Sequence, residues 1–162
     1  MSTSKFIRYS GAAAIVAGLF TVIGTILELN PTPALGWIYL VSTLTTMVTL
    51  VGIYLYQRGT AGTLGLIGFL VSLLGNLLLF FPNPAIGGSI FALGLVLIGV
   101  AILRANSFSK WIPWLWIVAP IIAVFGFIQP TVEAPLFLFG AVASGLGFLG
   151  AGMKMWSSTE VG

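Results

Sequence analysis

The side chains able to do chemistry are few, and most fall into helical rows. Thr21, Thr25 and Glu28 stand at i, i+4 and i+7, which is one face of a helix. Ser42, Thr45, Thr46 and Thr49 repeat that spacing, and Ser72 and Asn76 stand one helical turn apart. Polar groups inside apolar segments point to binding or transport. If these three faces met, they would line a pocket for a small, mostly apolar or cationic molecule. Glu28 at its mouth would supply a cation, amine or proton site. The same residues also have a plainer role. Ser and Thr hydroxyls bond to carbonyls of their own helix, and an Asn amide bridges helices. Glu28 then serves as a solvated carboxylate at headgroup level. It ends an apolar segment, where the helix dipole disfavours an anion, whereas Glu133 begins one, where an anion is favoured.

Catalysis is hard to assemble from this composition. The chain has no Cys, no His and no Asp, and its carboxylates are Glu28, Glu133 and Glu160. Thiol nucleophiles, imidazole bases, disulfides and the usual zinc ligand sets are therefore excluded. A rhomboid-type serine protease needs a Ser–His pair. A retinal Schiff base needs a Lys within a span, but Lys5, Lys110 and Lys154 lie at segment ends. Gly62-x-x-Gly65-x-x-Gly68 lies within an apolar stretch and reads as helix packing, not as a phosphate loop. A lipid-modifying acid/base pair of Glu28 and Glu133 is the one enzymatic option. The expectation is a protein that is not an enzyme and carries no cofactor or metal.

The elements that hold these residues follow from hydropathy. Of 162 residues, 59% are apolar and 6% charged, against about 25% charged in soluble domains. Mean hydropathy is +1.15. Neither a water-soluble globule nor a disordered chain has this composition. Six segments are long and apolar enough to span a bilayer: Tyr9–Leu29, Leu35–Tyr56, Ala61–Phe81, Ile86–Leu103, Trp111–Ile128 and Ala134–Met155. Their short Pro- and Asn-rich connections make neighbours antiparallel, within a single all-α domain over 1–162. The first run is longer than a signal-peptide core and reads as a helix. With six spans, Lys5, Arg8, Arg58, Arg104, Lys110 and Lys154 fall on one side, and Glu28 and Glu133 on the other. The positive-inside rule puts both termini in the cytoplasm. The net charge of +3 thus sets topology and does not indicate nucleic-acid binding, while Arg104 and Lys110 face anionic lipid. Tyr54, Tyr56, Trp111, Trp114, Trp116 and Trp156 are expected at the inner membrane boundary, and Trp37, Tyr39, Phe80 and Phe81 at the outer one.

An internal repeat is also visible. Gly24, Gly75 and Gly126 recur at an interval of 51 residues, as do Pro33, Pro84 and Pro135. The unit is one helical hairpin used three times, and all copies are parallel because each begins and ends on the same side. The sixth segment is rich in small residues, with Gly140, Ser144, Gly145, Gly147, Gly150 and Ala151 among them. Small residues let helix backbones approach closely in lipid, so this helix is expected to be surrounded by others, its own or a partner's. Pro120 is expected to kink the fifth helix by freeing the Trp116 carbonyl.

Arg8-Tyr9-Ser10-Gly11, Gly52-Ile53-Tyr54-Leu55-Tyr56-Gln57-Arg58 and Gly99-x-Ala101-x-Leu103-Arg104-Ala105 together resemble a loose group of uncharacterised bacterial six-helix integral membrane proteins. The resemblance implies a bacterial inner-membrane location and brings no site residues. In size and span number the chain is also similar to the substrate-binding subunits of energy-coupling-factor vitamin transporters. Two expectations follow. The first is a non-enzymatic scaffold or accessory subunit that packs through its sixth helix, with the lipid bilayer and a membrane-protein partner or a second copy as its contacts. The second is a transport or ligand-binding protein using the outward polar pocket.

Overall fold

The computed structural model describes residues 2–128 and 133–158. It is all-helical, with six helices: α1 Thr3–Leu27, α2 Leu35–Gln57, α3 Gly62–Leu78, α4 Pro84–Ala105, α5 Trp111–Ile128 and α6 Glu133–Ser157. Among the described residues, α1, α2, α4 and α6 are long and apolar enough to cross a membrane, while α3 and α5 are shorter apolar helices.

Helix ends differ from the expected ones for local reasons. The helix α1 begins six residues before its apolar run because Ser2 caps it, its hydroxyl accepting from the Lys5 N–H. Capping satisfies a donor that the first turn would otherwise leave free. The helix α3 stops at Leu78 because the next three residues tighten into i→i+3 bonds, from the N–H groups of Leu79, Phe80 and Phe81 to Asn76, Leu77 and Leu78. Entry into α3 needs Gly62 at φ 58°, a left-handed conformation that glycine adopts without strain. Pro84 opens α4, where its missing N–H costs nothing, and Asn106 ends it at φ 50°.

The helices form a closed ring. Each packs on its neighbours in sequence, and α6 returns to pack on α1. The contacts are antiparallel, since Ser10 meets Gly52 and Thr21 meets Ser42, while Gly11 meets Gly152 and Gly18 meets Gly145. The core fills the half of the ring that holds the N-terminus: Ile7, Ala14, Leu50, Ile53, Leu95, Ile98, Ile102, Phe108, Ile112, Trp116, Phe148, Ala151 and Met155. The buried polar residues Thr25, Ser42, Thr46, Ser72 and Asn76 lie on α1, α2 and α3. Large apolar side chains cover the outside, for example Leu70, Leu93, Ile121 and Phe139. By register, Lys5, Arg8, Arg58, Arg104, Lys110 and Lys154 lie at one end of the ring, and Glu28 at the other.

Candidate functional site

The hydroxyl rows are largely satisfied within the chain. Thr25 donates to the Thr21 carbonyl at 2.7 Å, Thr45 to Val41 at 2.7 Å, and Thr49 to Thr45 at 2.8 Å. Each bond runs back one turn, as helical Ser and Thr commonly do. One hydroxyl pair crosses between helices: Thr21 Oγ1 and Ser42 Oγ lie 3.0 Å apart and join α1 to α2. Ser72 does not join this group, because it backs onto Gly94 of α4. Its Oγ and the Oδ1 of Asn76 are buried and have no hydrogen-bond partner among the described residues. Glu28 is exposed at the end of α1. Its carboxylate lies beside the phenol of Tyr39, whose ring packs over Gly24.

The small residues of α6 are used inside the molecule. A Cβ added at Gly145 would stand 2.9 Å from the Gly18 carbonyl oxygen, and one at Gly140 would stand 3.0 Å from that of Ala119. Gly147 lies under the Trp116 indole and Gly150 under the Trp111 ring. The Ser144 carbonyl accepts the Trp116 Nε1–H at 3.3 Å, and Ala151 is fully buried. The helix is therefore enclosed on two sides by α1 and α5 of its own chain.

Trp116 corrects the expectation of a boundary anchor. It is fully buried against Phe148 because Gly147 leaves a slot for the ring. Tyr54 and Tyr56 also turn inward in part, packing on Phe69 and Phe108. Trp37, Trp111, Trp114 and Trp156 do project outward. Four notable positions fall outside the expected site: Ser10, Tyr39, Gln57 and Trp116. Gln57 is only 1% exposed, and neither end of its carboxamide has a partner among the described residues. It continues the row Ser42, Thr46, Thr49 and Ile53, so helical periodicity carried a signal that its position beside Arg58 concealed.

Two clefts open at the cationic end of the ring, where the start of α1 meets the end of α6. The larger is ≈ 380 Å³ and is lined by Ser4, Lys5, Arg8, Trp156, Ser157 and Ser158. The second shares Lys5, Arg8 and Trp156 and adds Tyr9. The Arg8 guanidinium carbon lies 4.8 Å from the centre of the Trp156 ring. This is cation–π range. Among the described residues, no group of three His, Cys, Asp or Glu is placed to hold a metal. Compared with known proteins, the chain matches no family model, no curated protein and no solved structure.

Proposed function

We propose that the chain is a non-enzymatic integral membrane protein that crosses a cell membrane six times, with both termini on the cytoplasmic side. It acts by lateral contact, as a scaffold or accessory subunit. The observation that carries this reading is the distribution of polarity. Polar side chains lie inside the ring or at its ends, and the outer wall is built of large apolar residues. Such a protein meets other molecules mainly through that wall. Since α6 spends its small residues on α1 and α5, the contact face lies elsewhere. The exposed row Leu66, Leu70, Leu74 and Leu77 along α3 is the face we assign.

Six spans follow if α3 and α5 cross as well. At about 1.5 Å per residue they are slightly shorter than a ~30 Å hydrocarbon core, and the turn through Phe81 lengthens α3. Segregation of the six cations at one end supports an even number of crossings. The three-hairpin repeat draws on one similarity in packing: Gly24 lies against Ile38 and Tyr39, and Gly75, 51 residues on, lies against Ile90 and Phe91.

Affinity purification in mild detergent tests the function. The expected result is a fixed partner or self-association that is weakened when the α3 leucines are replaced by Ala. A particle that is monomeric and without partners overturns it. Topology is tested by labelling Arg58→Cys and Arg104→Cys, which are expected on the same face. A second reading, ligand binding by α1–α3, draws on the unpartnered Ser72 and Asn76. It requires Asn76→Cys to react with a small water-soluble thiol reagent from outside, and an unreactive thiol refutes it.

A further inference from the structure

We infer that the cleft between the start of α1 and the end of α6 binds the phosphate of an anionic membrane phospholipid. The inference rests on the membrane-spanning reading above, which places this end at the bilayer surface. Lys5 and Arg8 stand at i and i+3, on one face of α1, and both line the two clefts with Trp156. The Arg8 guanidinium carbon lies over the indole, and a guanidinium fork fits an oxyanion in a bidentate manner. The adjoining first turn of α1 adds the positive end of a helix dipole. The negative end of α6 is blunted by its own residues: Ser157 and Ser158 both donate to the Lys154 carbonyl, at 3.2 and 2.6 Å, and Lys154 adds a third cation in the same turn.

The cleft volume of ≈ 380 Å³ leaves room for a glycerophosphate headgroup. Trp156 and Tyr9 are also side chains suited to headgroup depth, with an apolar body and a polar tip. A soluble phosphate offers the same oxygens but no acyl chains. Exposed Tyr9 and Trp156 border the cleft and give such chains an apolar surface to lie against, which favours the lipid.

The test uses the full chain in nanodiscs of equal phosphatidylglycerol and phosphatidylcholine, followed by native mass spectrometry of the lipids retained. The expected result is enrichment of phosphatidylglycerol, falling about fivefold for each of Lys5→Gln and Arg8→Gln. The control Arg58→Gln removes a cation from the same end but outside both clefts and is expected to leave the enrichment in place. A loss in the control equal to that of Lys5→Gln or Arg8→Gln, or no loss in those two, overturns the proposal. Displacement of the lipid by excess inorganic phosphate overturns the assignment to lipid in favour of soluble phosphate. Failure of the chain to enter nanodiscs would instead overturn the membrane-spanning reading itself.

Discussion

Gly18→Ala tests the packing logic most directly. A Cβ at this position would stand 2.5 Å from the Gly145 carbonyl oxygen and 2.8 Å from Leu149 Cγ. The first neighbour is backbone, so no side-chain rotation relieves the clash. Restoring ordinary contact moves α1 and α6 apart by roughly 1 Å, and a gap of that size forfeits about a quarter to a half of each dispersion contact along the seam. In lipid those contacts are the main source of helix association, because burial from hydrocarbon gains nothing. Overpacking of this kind costs about 1–3 kcal/mol, and the backbone neighbour puts Gly18→Ala in the upper half of that range. Gly88→Ala is the control, since a Cβ there meets nothing within 4 Å. It should be neutral or stabilising by up to about 1 kcal/mol through helix propensity. Both can be measured as unfolding free energies in mixed micelles. If Gly18→Ala is no worse than Gly88→Ala, the close approach of α1 and α6 is wrong.

The buried interior yields three further outcomes in the same assay. Gln57→Leu should stabilise by about 1–2 kcal/mol, because a buried amide without partners costs about that much; a loss of stability would refute the isolation of the carboxamide. A double-mutant cycle of Thr21→Val and Ser42→Ala should give a coupling of about 0.6 kcal/mol and at most about 1.7, the range for interhelical bonds in membranes; zero coupling would refute the α1–α2 link. Trp116→Phe should cost about 1 kcal/mol or more by removing the indole bond to the Ser144 carbonyl; an unchanged stability would show that bond to contribute nothing.

What the sequence disclosed depended on whether a property was local. Apolar runs locate all six helices, because hydropathy over a window of ~20 residues is a local quantity. The same window misses the first turns of α1, where Lys5 and Arg8 dilute the signal although Ser2 caps the helix. It also overruns α3, since Leu79, Phe80 and Phe81 are apolar whether helical or in a turn. The small residues of α6 announce close packing, but the identity of the helices that fill those notches is a long-range fact. Trp116 fails for that reason: its distance from the segment end suggests a boundary anchor, while its burial is decided by Gly147, far along the chain. At the candidate site, the threonine spacings correctly place Thr25 and Ser42 inside. They say nothing of where each hydroxyl proton goes, which depends on competition between a carbonyl one turn back and a group on another helix.

The closure of the ring by α1 and α6 has a temporal consequence. Gly18 and Gly145 are separated by 127 positions, so this close backbone approach joins α1 to a helix made much later. At about 5–20 residues per second, the glycine face of α1 waits roughly 6–25 s after synthesis for its cover. Throughout that interval a newborn chain presents an open groove that the finished molecule no longer has.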